Sequence, residues 1–264
     1  MAMVNRFGLS RNIPESIKEV VRKRDGFGCV HCGKGIYTYE HFNPLFKDAQ
    51  QHQIEGIALL CGQCQLQTTK GILSKYTISL DVNDPFCKRA GFTNDFLDLT
   101  FPLLLYFGNF VYPVPDDNRE HIMLMLDDEP ALACSKDPVG GPVQISAVFH
   151  DRNNRICLQI TKNEWKANSE SWDIIQQGRK LSIYEEKRKV GIELEFEPPN
   201  IIRFNRLTTF FNKNRLEINK HQMSILRSDG KLLEVGTPES ITRAATIFIN
   251  PWGHSSSHSS NLNF

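Results

Sequence analysis

No stretch of this 264-residue sequence is apolar for long enough to cross a bilayer as a helix, and no charged leader precedes an apolar run. Neither secretion nor membrane insertion is therefore expected, and the cytoplasm is the expected compartment. A disulfide framework is also a poor fit. The cysteines number seven, an odd count, and four of them stand as two CxxC pairs, the spacing of metal ligands. Cys87, Cys134 and Cys157 are then isolated thiols, in the core or at the surface. Beyond residue 118 the chain has no phosphate-cradling glycine loop, no Ser/His/Asp constellation with a supporting local motif and no paired acidic site, so no active site is expected there.

An excess of charge of one sign is missing as well: the formal net charge is only +1. That total conceals an asymmetry. Residues 1–76 hold 10 Lys/Arg against 6 Asp/Glu, and the remainder holds 21 against 24. A basic front part suits a polyanionic partner through phosphate contacts, although a solvated surface has the same charge pattern. Hydrophobic residues at 40% and charged residues at 23% exclude a mainly disordered or fibrous chain.

The change of character near residue 75 divides the chain. Residues 1–75 read as a small metal-stapled module, 76–118 as a connector and the start of a second domain, 119–252 as a β-rich domain, and 253–264 as a low-complexity tail expected to be disordered. In the first part, Pro14 suits the first turn of a helix carrying Ile17, Val20 and Val21 and ending by Gly26. Its Lys18, Arg22, Lys23 and Arg24 form a basic face, and Arg22, Lys23, Arg24 and Lys70 are candidate nucleic-acid-binding residues. A hairpin-like stretch is expected through 36–42, and a helix beginning within 65–73.

In the β-rich part, short runs at 143–148, 155–160, 180–184, 190–196, 201–204, 215–218, 223–226 and 231–235 are separated by turn-forming segments. Ile192, Leu194 and Phe196 alternate with Glu193, Glu195 and Glu197, the pattern of a half-buried strand. The fold class is therefore α+β, with a mainly antiparallel β domain built as a sandwich, barrel or stacked hairpins. Trp165 and Trp172 either pack a corner of that domain or stack against a partner. Arg203, Arg206, Lys213 and Arg215, around Phe204, Phe210 and Phe211, either track a phosphate backbone or form a mixed hairpin surface.

Cys29, Cys32, Cys61 and Cys64 form CxxC, a gap of 28 residues, then CxxC. Each pair can span one edge of a tetrahedron, so the expected occupant is one structural zinc ion. His31, inside the first pair, is not needed as a ligand because four thiolates already fill the shell.

What lies between the knuckles is Glu40-His41-Phe42-Asn43-Pro44, and Gln65 follows Cys64. An acidic residue and a histidine, followed shortly by proline and set between two zinc knuckles, resemble the HNH endonuclease family. The resemblance covers about residues 12–73. It implies a ββα-metal fold and metal-assisted hydrolysis of DNA phosphodiester bonds, in a setting such as bacterial restriction or phage defence. It further implies His41 as general base, Glu40 as ligand of a catalytic Mg²⁺ or Mn²⁺, Gln65 as that ion's second ligand, and DNA as the partner.

The sequence departs from the pattern twice. Gln65 stands where a histidine ligand is common, and Gly56 stands where an asparagine orients the base. His52, near that gap, reads as a surface histidine of a polar loop, or as a substitute ligand. The other function class is a catalytically weakened zinc module that binds DNA or protein within a larger assembly. The β-rich domain would then serve recognition, a protein partner or homo-oligomerisation.

Overall fold

The computed structural model describes residues 4–235 except 109, 127–128 and 138–140, so the tail at 253–264 lies outside the described residues. The chain is mixed α+β with mostly antiparallel sheets. It divides into two compact units. The first comprises Met1–Asp95, Lys166–Gln176 and Tyr184–Arg188; the second comprises Phe96–Trp165, Gln177–Ile183 and the residues from Lys189 onward. Among the described residues no helix is long and apolar enough to cross a membrane.

In the first unit, helix α1 (Glu15–Asp25) starts on Pro14, whose carbonyl accepts the Ile17 and Lys18 amides, and stops at Gly26 in the left-handed conformation. Val21 is fully buried and Ile17 half-buried, whereas Val20 is 46% exposed, so the buried face is narrower than the sequence suggested. The stretch at 36–42 does not turn back on itself. Instead β1 (Thr38–His41) pairs antiparallel with the distant β2 (Ile57–Leu60), Glu40 opposite Ala58 and His41 opposite Ile57.

All four residues of β2 are buried, which explains its unbroken apolar run. Ile57 and Leu59 pack with Ile13 and Val21 on one face, while Ala58 and Leu60 pack with the knuckle cysteines, Phe42, Leu73 and Ile78 on the other. Helix α2 (Gly62–Thr69) follows, with the Cys61 thiol accepting the Cys64 amide at its N-terminus. Helices α3 (Lys75–Asn83) and α4 (Phe86–Ala90) also belong to this unit. They close over the first knuckle: the Phe86 amide bonds the Val30 carbonyl, and Asp81 bonds His31. That packing carries the unit past residue 75, where composition alone placed its end.

Strand β3 (Phe92–Phe96) follows, and then β4 (Leu103–Phe107) and β5 (Phe110–Val114), a hairpin of the second unit within the stretch read as connector and start of the second domain. The chain continues through β6 (His121–Leu126), β7 (Glu129–Lys136), β8 (Val143–His150), β9 (Ile156–Thr161), β10 (Glu164–Asn168), β11 (Asp173–Gln177) and β12 (Lys180–Glu186). It ends with β13 (Lys189–Glu197), β14 (Ile201–Phe211), β15 (Asn214–Ile218), β16 (Met223–Leu226) and β17 (Leu232–Val235).

Strands β6 to β9 make one antiparallel meander and β13 to β17 another. β4 joins the second meander parallel to β14, a long-range pairing that no turn signal announces. Within this unit Phe204 stacks on Phe107 at 4.8 Å and meets Phe149 edge-on at 6.2 Å. Ile192, Leu194 and Phe196 point inward as their alternation requires.

A candidate metal centre and the cleft beside it

The two CxxC pairs meet because β2 returns the chain to the first knuckle: the Val30 amide bonds the Leu59 carbonyl, one residue pair before Cys61. The first knuckle is closed by the Cys29 amide on the Lys34 carbonyl and the Gly33 amide on the Cys29 carbonyl. Gly33 has φ of 78°, and a Cβ there would stand 2.5 Å from the Phe86 ring, so any other residue would be strained and would displace that ring. The four sulfurs lie within 4.8 Å of one another. Cys32 Sγ is 3.5 Å from Cys61 Sγ and 3.6 Å from Cys64 Sγ, far outside disulfide range. Burial, and then the charge of Cys29, push the Cys64 thiol up to about 12. This cluster could hold a metal ion.

The remaining three thiols form no disulfide. Cys87 and Cys134 are buried and Cys157 half-buried. Burial pushes the Cys87 thiol up to about 12, consistent with an inert core residue. His31 takes no place among the sulfurs; its Nδ1 lies 2.8 Å from an Asp81 oxygen.

Next to the cysteines, Glu40 and His41 on β1 and Gln65 on the first turn of α2 line one open cleft of about 450 Å³. The Gln65 amide donates to Glu40 Oε1, which also accepts the Thr38 hydroxyl at 3.2 Å. His41 Nε2 is 3.1 Å from His52 Nδ1, and the Phe46 ring packs 5.5 Å from the His41 ring. Burial, followed by the charges of His52 and Arg11, lowers His41 to about 4, so its ring is neutral at pH 7. His52 is thus no free surface histidine.

The cationic residues of the first unit divide differently from the sequence reading. Arg22 is a correction: its side chain is 4% exposed and fully engaged inside the protein. Nε and Nη2 hold Asp173, and Nη1 holds Glu15 and the Tyr39 hydroxyl. Arg24 is a second correction, since its three nitrogens bond Asp25 and the carbonyls of Ile54 and Ile57. Lys23 pairs with Glu19 at 2.8 Å and lies 3.6 Å over the Trp172 ring. Of that helix face, Arg22, Lys23 and Arg24 are engaged within the protein, and Lys18 lines the cleft. Arg22 grips β1 through Tyr39, while Arg24 and Asp25 grip β2, the latter through the Leu59 amide.

Lys70, at the end of α2, is exposed and lies outside the cleft. The cleft takes its positive charge from Arg11 and Lys18. Arg11 was missed because it precedes the helix. The available signal was Ile13, whose burial two residues later anchors that segment.

In the second unit, Trp165 is 2% exposed and Phe204 fully buried, so neither is a stacking platform. Arg203 pairs with Glu197 and stacks on Tyr106 at 3.9 Å, and Arg215 pairs with Glu217. Two of that cluster's four cations are thus paired with neighbouring carboxylates.

Comparison with family models, with curated proteins and with solved structures gave no match in any of the three. The functional reading rests on the chain's own residues.

Proposed function

We propose that this protein is a metal-dependent endonuclease of the HNH type that hydrolyses DNA phosphodiester bonds. Its first unit would be a ββα-metal module stapled by zinc. The observation that carries the reading is the cleft in which Glu40, His41 and Gln65 stand together with Arg11 and Lys18. Zinc is the proposed occupant of the cysteines because thiolates bound at about 2.3 Å to one tetrahedral ion lie roughly 3.8 Å apart. The separations of 3.5 and 3.6 Å are close to that edge.

A neutral His41 can accept the proton of an attacking water, and Arg11 and Lys18 can hold the phosphate oxygens. A bound Mg²⁺ or Mn²⁺ would polarise the scissile phosphate and stabilise the leaving oxygen. Glu40 would hold it, with the Gln65 carbonyl turned inward in place of the amide nitrogen. One carboxylate and one amide suit a hard ion that keeps several waters and shares substrate phosphates. The β-rich unit would recognise the target or a partner, or join copies of the chain.

The second reading is a DNA- or protein-binding module with weakened catalysis. The Gln65 amide bonded to Glu40 favours it, because a neutral partner occupies the carboxylate.

The deciding experiment is plasmid and oligonucleotide cleavage with Mg²⁺ or Mn²⁺, comparing the wild type with His41→Ala at equal zinc content. The wild type should cut, and His41→Ala should lose about 10²- to 10⁴-fold in rate. Failure to cut single- or double-stranded DNA with either ion, or equal cutting by both proteins, sinks the nuclease reading.

A further inference from the structure

We infer that His52 is the positioning residue of His41: it accepts the Nε2–H of His41 and thereby makes Nδ1 the proton-accepting atom. This rests on the nuclease reading of the cleft, and the observations behind it are independent of the zinc site.

The first observation is that Gly56 is closed to side chains. A Cβ at that position would stand 2.1 Å from the Asn43 carbonyl oxygen, and the Gly56 carbonyl accepts the Phe42 amide at 2.9 Å. Backbone packs directly on backbone where an orienting side chain would otherwise project. No substitution there can restore that role without moving the end of β1.

The second observation is the His41–His52 contact itself, Nε2 to Nδ1 at 3.1 Å with ring centres 5.2 Å apart. The loop bearing His52 is held in place. The Asn5 side-chain amide donates to the carbonyls of Phe46 and Ala49 at 2.6 and 2.7 Å, Ala49 is fully buried, and the turn Ile54–Gly56 leads the chain into β2. An anchored loop can present an imidazole at a fixed angle.

The direction of the bond follows from valence. A neutral imidazole has one N–H and one lone pair, so a single N···N bond sets the tautomer of both rings. If His52 Nδ1–H donated to His41 Nε2, that bond would use the only lone pair of His41, and the ring could take no proton from water. A base at His41 therefore requires the opposite sense, with His41 Nε2–H donating. His52 then carries its own proton on Nε2, and His41 Nδ1 stays open to water. The stakes are those of any base held in one tautomer by a neighbour.

The test uses the full-length, metal-loaded protein labelled with ¹⁵N-histidine, at pH 8. Long-range ¹H–¹⁵N correlation should show His41 with a protonated Nε2 and a bare Nδ1. His52→Ala should leave His41 as a mixture of tautomers, and His52→Gln, whose carbonyl can accept the same hydrogen, should restore the single form. In cleavage assays His52→Ala should lower kcat about 10- to 100-fold with KM within about 2-fold, and His52→Gln should recover most of it. A protonated Nδ1 on His41, or a tautomer and kcat indifferent to His52→Ala, overturns the inference. So does a loss in His52→Ala that excess Mg²⁺ cures, since His52 would then be a metal ligand. If the wild type cuts no DNA but the tautomers behave as stated, the nuclease reading fails while the pairing stands.

Discussion

Arg22 on α1 and Asp173 on β11 form a two-point ion pair, Nε to Oδ1 at 3.0 Å and Nη2 to Oδ2 at 2.8 Å, across 151 positions of sequence. Both side chains are at most 4% exposed. Burial works against the charged guanidinium, but the bonds to Asp173 and Tyr39 outweigh it and hold Arg22 above the usual arginine range. Removing one partner leaves the other charge buried and uncompensated. Asp173→Ala should therefore cost about 3–5 kcal/mol in urea unfolding, while Arg22→Met with Asp173→Leu should recover part of that loss. An Asp173→Ala protein as stable as the wild type would show that the pair contributes nothing.

The four-cysteine cluster should bind one metal ion per chain, measured by plasma mass spectrometry on protein purified without added metal. Cys61→Ser should abolish that content and also remove the sulfur that caps α2. Because the sulfurs sit between β2, α2 and the first knuckle, chelation should lower the melting temperature of the first unit. Unchanged melting in a strong chelator would mean that the thiols pack without an ion.

Arg11 and Arg24 should behave oppositely in DNA binding. Arg11 lines the cleft, so Arg11→Ala should weaken binding and reduce the slope of log affinity against log salt by about 1. Arg24 donates to two backbone carbonyls beside β2, so Arg24→Ala should lower stability and leave that slope in place. Titrations at three salt concentrations separate the two outcomes.

Gly56→Asn should not improve cleavage. The added side chain meets the Asn43 carbonyl, and overpacking of this kind costs about 1–3 kcal/mol. Chemical denaturation of the variant checks the cost, and a stable variant with faster cutting would contradict the close approach.

His41 is lowered to about 4, with burial the largest cause. Its ordinary value is about 6.5. Between those values the unfolded chain binds the proton that the folded chain refuses, so His41 makes stability fall as pH drops from about 6.5 toward 4. Above 6.5 it has no such effect. Ring-proton NMR without added magnesium should place the His41 midpoint near 4, and a midpoint at the ordinary value would show an open, solvated ring.

Much of this architecture was legible in the sequence for physical reasons that act locally. Alternation at Ile192, Leu194 and Phe196 fixes which face of β13 is inward, because side chains alternate across a strand whatever surrounds it. The two CxxC spacings announce a ligand set because a knuckle is a property of four or five consecutive residues. Glu40, His41 and Gln65 were selected by resemblance to the HNH pattern, the first two between the knuckles and Gln65 directly after the second.

What the sequence left open depended on partners brought together from afar. A basic side chain looks the same whether it meets solvent or a buried carboxylate, so only packing separates Arg22 and Arg24, which build the scaffold, from Arg11 and Lys18, which face the cleft. His52 read as one polar loop residue among glutamines until the loop anchored by Asn5 set it against His41. Local spacing determined the candidate ligands and the strand faces; the tertiary structure decided which charges face the cleft and which nitrogen of His41 has a neighbour, because both depend on contacts between distant segments.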